Sequence, residues 1–182
     1  MSGFEGFPGR DVRAKLDHPV IDADAHVVES DFAHLDFVRQ LGGESMVKAV
    51  SAVQANHGPT VRGFWWGLPS GKHTGDRAMA QLPRYFRSRM DELGIDFAVL
   101  YPTYGLPVTS IGNAELRTAL ARAVNRYYAE AYAGYRDRLE PVAAIPTFTP
   151  DEAIAELEHA VVELGLKAVM LGGTIPRPYD AA

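Results

Sequence analysis

The chain contains no cysteine, which excludes disulfides and thiolate metal sites outright. Basic charge is scarce: 18 Lys and Arg stand against 23 Asp and Glu, a formal net charge of -5. No Lys or Arg run exceeds two residues, so a nucleic-acid backbone would find no electrostatic footprint and is not expected as a partner. No apolar run approaches the roughly 20 residues of a membrane span, so no membrane partner is expected. The opening MSGFEGFPGRDV lacks the basic-then-apolar pattern of a signal peptide. A cytoplasmic enzyme or binding domain is expected. No G-x-G-x-x-G turn follows any candidate strand, which weakens a nucleotide-binding reading. The 182 residues suffice for one sizeable core but fall short of the about 250 of a complete (β/α)₈ barrel.

What is present is a regular alternation of elements. Residues 1–18 are rich in Gly, Pro and charge and read as an arm preceding the domain. Val20 to Val28 reads as a strand, and Asp31 to Leu41 has helical spacing (Phe32, Leu35, Val38, Leu41) before a stop at Gly42-Gly43. Residues 45–78, with NHGPTVRGFWWGLPSGKHTGD among them, read as a long insertion loop. Leu82, Phe86, Met90 and Leu93 then fall on one helical face closed by Gly94, and IDFAVLYPT is an apolar run suited to a buried parallel strand. Leu116, Leu120, Val124, Tyr127 and Ala131 mark another helix, and LEPVAAIPT another strand. Thr149-Pro150-Asp151-Glu152 is a helix start with an N-cap and Pro at the first helical position. Ile154, Leu157, Val161 and Leu164 continue that helix to Gly165, and LKAVMLGG is the last strand. The junction ELGIDFAVL recurs as ELGLKAVML. One αβ unit repeated implies a parallel β/α architecture with right-handed crossovers.

The chemistry gathers in VIDADAHVVES, from Val20 to Ser30. Alternate strand residues share a face, so Asp22, Asp24 and His26 are expected on one side. Asp24 and His26 could reach one cation from the strand's C-terminal end, where β/α enzymes build their sites. A carboxylate oxygen with an imidazole nitrogen suits zinc, manganese or iron, and Asp22 could orient a neighbour from one step deeper. The competing reading is an exposed edge strand with its polar side in water. Glu29 could add a ligand or orient substrate, or it is an exposed charge at the turn.

This stretch resembles the opening strand of the amidohydrolase superfamily, and is most similar to the amidohydrolase 2 branch of metal-dependent TIM-barrel hydrolases and decarboxylases. That branch usually opens apolar-Asp-x-His-x-His. The two histidine positions fall on Asp24 and His26, so Asp replaces the first histidine. LYPTYGL and the succession from LEPVAAIPT to LKAVML extend the similarity over roughly residues 18–175. The resemblance implies a parallel (β/α) barrel-type fold, an incomplete TIM barrel of about four units, over residues 19–175 with a tail at 176–182. It implies metal-dependent hydrolysis of a small organic substrate through a metal-activated water, or decarboxylation of an aromatic or enoic acid. Its later ligands, two histidines and an aspartate, are not found here, which suggests a fragment, a truncated relative, or completion by a second copy; the fragment is the favoured reading. Zinc is the first expectation for the metal, manganese or iron the alternatives, and Asp24, His26 and Glu29 the ligands.

Tyr101, Thr103 and Tyr104 leave the second strand at the end suited to substrate contact, although tyrosines there also simply cover cores. No catalytic residue is assigned. His57 and His73 with Trp65 and Trp66 could form a lid or plain loop surface, and Arg177 could meet a substrate carboxylate or lie in a flexible tail. His159 reads as a solvated helix residue, and Asp180 as a tail residue. A different class also stays open: a catalytically silent α/β scaffold or interaction module, its apolar strand edges covered by another chain.

Overall fold

The computed structural model describes residues 9–29, 31–56, 78–103 and 105–172. A short helix α1 (Gly9–Arg13) leads into strand β1 (Ile21–His26) and helix α2 (Asp31–Asn56). Then follow α3 (Pro83–Leu93), β2 (Phe97–Tyr101), a 3₁₀ turn (Leu106–Ser110) and α4 (Ala114–Ala131). The chain continues through β3 (Leu139–Ile145), α5 (Pro150–Glu158), a π-helical turn (His159–Glu163) and β4 (Ala168–Leu171). The strands form one sheet in the order β1-β2-β3-β4, every pairing parallel. This is the β/α arrangement of an incomplete TIM barrel, as expected. No described helix is long and apolar enough to cross a membrane.

The core lies between the sheet and its helices. Ala25, Val27, Ala98, Leu100 and Leu139 from the strands meet Val38, Phe86, Met90, Leu120, Val124 and Tyr128 from the helices. On the other side Phe97, Val99 and Tyr101 stay half-buried, so that face is the more open one. The repeated junction closes each time on a left-handed glycine, Gly94 at φ 74° and Gly165 at φ 69°. At Gly94 a Cβ would also sit 2.3 Å from the Gly9 carbonyl oxygen, so the described part of the N-terminal arm docks directly on the end of α3.

Two expectations need correction. Gly43 breaks the second helix where anticipated, at φ 66° and ψ -166°, but the chain turns helical again as far as Asn56. Met46, Val47 and Val50 pack on the core from this continuation, so its helical spacing outweighs the Gly- and Pro-rich sequence that follows. The part of the expected insertion beyond residue 56, up to residue 77, lies outside the described residues. The second correction concerns α5. Its apolar stripe faces outward, Ile154 at 54%, Leu157 at 40% and Val161 at 42% exposure, while Glu156 is fully buried. The reason is polar: Glu156 takes hydrogen bonds from Arg122 at 2.8 Å and from Asn125 at 2.8 Å on α4. Val169 and Leu171 are exposed on the same, helix-bearing side, because they pair with Ala143 and Ile145.

Polar side chains close the sheet where strands do not run alongside one another. β3 pairs with β2 over Leu139–Pro141 and with β4 over Val142–Ile145, so its second half outruns β2. There the Asn125 carboxamide stands in for a strand: its Oδ1 accepts the Ala144 N–H at 2.8 Å and its Nδ2 donates to the Ala144 carbonyl at 3.0 Å. At the strand entries, Asp96 accepts the Val20 N–H at 2.7 Å and also binds Arg13. Glu140, itself in β3, accepts the Lys167 N–H at 2.7 Å just before β4.

Asn125→Leu removes three hydrogen bonds and strands buried partners, so it should destabilise by about 3 kcal/mol or more, measured as a lower urea midpoint at unchanged slope. The Val20 N–H, then Arg13, hold the Asp96 carboxyl below the usual carboxylate range. A depressed folded pKa stabilises above the unfolded value near about 3.9 and loses that contribution as pH falls. Asp96→Asn should therefore lower stability at neutral pH, and its gap to the parent should narrow in denaturation series run toward pH 2.

Candidate functional site

β1 does not alternate uniformly. Asp22 pairs with Ala98 and Ala25 with Leu100, three steps on one strand against two on the other. The extra residue makes a β-bulge, and the Asp22 Oδ1 closes it by accepting the Asp24 N–H at 3.1 Å. Paired residues of a parallel sheet share a side. Asp22 therefore lies on the side of buried Ala98, and His26 on the side of half-buried Tyr101. The expectation that Asp22 shares a face with His26 is corrected by that one added residue. Asp24 lies within the irregular interval between Asp22 and Ala25 and is exposed; regular pairing resumes at Ala25, and His26 is half-buried.

At the exit of β1 the chain stays tied to β2. The Val27 N–H donates to the Tyr101 carbonyl at 3.1 Å, and the His26 and Tyr101 rings lie 6.1 Å apart, inclined at 37°. Two residues later comes the largest departure from expectation. Glu29 is not an exposed charge: it is 1% exposed, in step with Ala25 and Val27 on the helix-bearing side. Its Oε2 accepts the Thr103 N–H at 3.3 Å, and its Oε1 accepts the Gly105 N–H at 3.4 Å and the Tyr128 hydroxyl. Burial first, and then the neighbouring Glu29 charge, push the Tyr128 phenol well above its ordinary range, so it is the donor of that bond.

Around the same rim, Arg117 at the start of α4 grips Glu152 at the start of α5 through two bonds, 3.1 and 2.5 Å. It also donates to the carbonyls of Ile111 and Gly112 and lies 3.8 Å over the Phe148 ring. Arg117 is 3% exposed, so the loops after β2 and β3 are held through a buried guanidinium. Asn125, Arg117 and Tyr128 were not singled out in the sequence as supports of the site. Their signal was there: Arg117 and Asn125 are polar residues at core-facing positions of a helix otherwise lined by Leu120, Ala121, Val124 and Tyr128.

Asp24 and His26 offer a carboxylate and an imidazole, and among the described residues no group of three or more His, Asp or Glu is arranged to hold a metal. The described residues by themselves therefore make no complete metal site. Thr103 is 1% exposed and its Oγ1 has no hydrogen-bond partner among the described residues, an arrangement that calls for a functional explanation. His159, expected to be solvated, is buried, its Nδ1 2.7 Å from Glu163 Oε2. The wider π-helical turn rotates the surface so that Val162, 77% exposed, faces out instead. Tyr104, His57, His73, Trp65, Trp66, Arg177 and Asp180 lie outside the described residues.

Comparison with known proteins adds a family. The family model described as Amidohydrolase matches residues 21–177. A crystal structure of 5-carboxyvanillate decarboxylase from Novosphingobium aromaticivorans, complexed with manganese and 4-hydroxy-3-methoxy-5-nitrobenzoic acid, superposes with a TM-score of 0.57 at 19% identity. An Asp-to-Asn mutant of that enzyme, also with manganese and the nitro acid bound, gives the same TM-score and identity. Each match covers 86% of this chain and 42% of the enzyme, so the chain spans less than half the length of these structural relatives. No curated protein matches.

Thr103→Val removes a buried hydroxyl that has no partner among the described residues and keeps the side chain's shape. It should raise stability by about 1 kcal/mol, read from denaturant midpoints; a loss of that size would mean the hydroxyl is bonded in the folded chain.

Proposed function

Since this chain belongs to the amidohydrolase family, we propose that it supplies the first two ligands, Asp24 and His26, of a divalent-metal site that decarboxylates a small aromatic acid. The observation that supports this reading most is the exit of β1, where His26 pairs with Tyr101 on the half-buried side of the sheet, two residues after the exposed Asp24. The structural relatives, crystallised with manganese and a phenolic nitrobenzoic acid, support the aromatic acid. They also favour manganese over the zinc first expected, as does a carboxylate in place of the usual histidine.

The residues of this chain have separable tasks. His26 and Asp24 hold the ion, which when bound neutralises substrate oxygens and draws electron density from the reacting ring. Tyr101 flanks the imidazole and offers an aromatic face to an aromatic substrate. The Thr103 hydroxyl, without a partner among the described residues, offers a hydrogen bond to a substrate oxygen, and Tyr104 completes the proposed contact set. In the reaction the carboxylate leaves as CO₂, its bonding pair stays on the ring carbon, and that carbon takes up a proton. A second reading, hydrolysis by a metal-activated water, draws support from the Amidohydrolase description of the matching family.

Titration of the metal-free chain with manganese, followed by the electron paramagnetic resonance of the free ion, should show one ion bound per chain. Asp24→Ala and His26→Ala should each abolish it. Chains that bind no manganese, or variants that bind it as well as the parent, would remove the metal reading and leave a scaffold role. Release of CO₂ from an ortho-hydroxybenzoate separates the lyase reading from the hydrolase one.

A further inference from the structure

We infer that Glu29 is a positioning residue: a buried clamp that fixes the exits of β1 and β2 against each other and so sets His26 relative to Tyr101. The clamp itself needs no metal; the part of its test that uses manganese rests on the reading of Asp24 and His26 given above.

The connectivity argues for it. Glu29 lies three residues beyond His26, and Thr103 two beyond Tyr101. One carboxylate gathers the N–H groups of Thr103 and Gly105 and the hydroxyl of Tyr128. A carboxylate this withdrawn from water is tolerated only when donors surround it. Two of the donors are backbone amides, which cannot swing away as a side chain can, so they fix the path of the chain from Thr103 to Gly105. The third is anchored in the core. Tyr128 is fully buried, edge-on to Tyr132 at 6.1 Å and beside Tyr127 at 5.6 Å. Helix α4 thus holds Glu29, and Glu29 holds both exits. Support of this kind, from groups that do not themselves touch the reacting partner, governs how well a site keeps its geometry.

The two oxygens carry different loads. Oε2 serves Thr103, whereas Oε1 serves Gly105 and Tyr128. A glutamine has one accepting oxygen, so in Glu29→Gln an amide NH₂ must face one of these N–H groups. Tyr128→Phe deletes one donor and leaves the carboxylate in place.

The test uses the full chain without metal, following amide hydrogen exchange by NMR in the parent, Glu29→Gln and Tyr128→Phe. Protection at Thr103 and Gly105 should fall at least about tenfold in Glu29→Gln and less in Tyr128→Phe, while Ala144 and Leu166 keep theirs. The ring resonances of His26 should shift in Glu29→Gln, an effect that a remote brace would not produce. Manganese affinity should weaken by about 10- to 100-fold with one ion still bound. Unchanged protection at Thr103 and Gly105, or an unmoved His26 ring, overturns the proposal. So does loss of the ion with protection intact, which would make Glu29 a ligand. If the parent binds no manganese but exchange and His26 respond as stated, the clamp stands and the metal reading alone falls. If Glu29→Gln unfolds, Tyr128→Phe decides: protection lost only at Thr103 and Gly105 supports the clamp, and none lost there overturns it.

Discussion

Backbone amides with no strand beside them are the constraint on which this structure turns. A parallel sheet satisfies its N–H and C=O groups only while neighbours run alongside, and buried groups left over are costly. Among the described residues, four side chains meet such gaps. Asp96 takes the Val20 N–H before β1, Glu140 takes the Lys167 N–H before β4, and Asn125 takes both polar groups of Ala144 where β2 has ended. Glu29 does the same beyond the ends of β1 and β2. Three of these four side chains are carboxylates, and Glu29 and Glu140 are buried in that role.

This arrangement divides the sheet by function. The side toward the helices carries the apolar core together with Glu29, Asn125 and Tyr128, all buried. The other side carries His26 and Tyr101, which keep contact with solvent, next to the exposed Asp24. A rigid layer therefore backs a layer of accessible groups, and the two are joined by the chain segments just past β1 and β2. The Arg117–Glu152 pair adds a second tie, between the starts of α4 and α5.

The backbone plan was legible in the sequence because its signals are local. The glycines at 94 and 165, the Thr149 cap that accepts the Glu152 N–H at 3.2 Å, and the Phe86 and Met90 spacing each act within a few residues. What could not be read depends on partners far along the chain. The stripe of α5 looked like a core face, yet Asn125, 31 residues away, turns Glu156 inward instead. Glu29 looked like a ligand because it follows His26, and only Tyr128, 99 residues on, shows which way it points. The placement of Asp24 and His26 was half legible. His26 lies beside Tyr101, but Asp22 falls on the opposite side because a bulge leaves no periodic trace in so short a strand.

That single added residue acts as a clutch between the two halves of β1. Upstream of it the strand answers to the sheet, with Ile21 and Asp22 matched to Phe97 and Ala98; downstream it answers to the mouth, with His26 matched to Tyr101. Lengthening or shortening the strand by one residue at this point would exchange Asp24 for a neighbour at the rim without disturbing the foot of the sheet. Length at this one point therefore tunes what the strand presents at its exit while its foot stays in register.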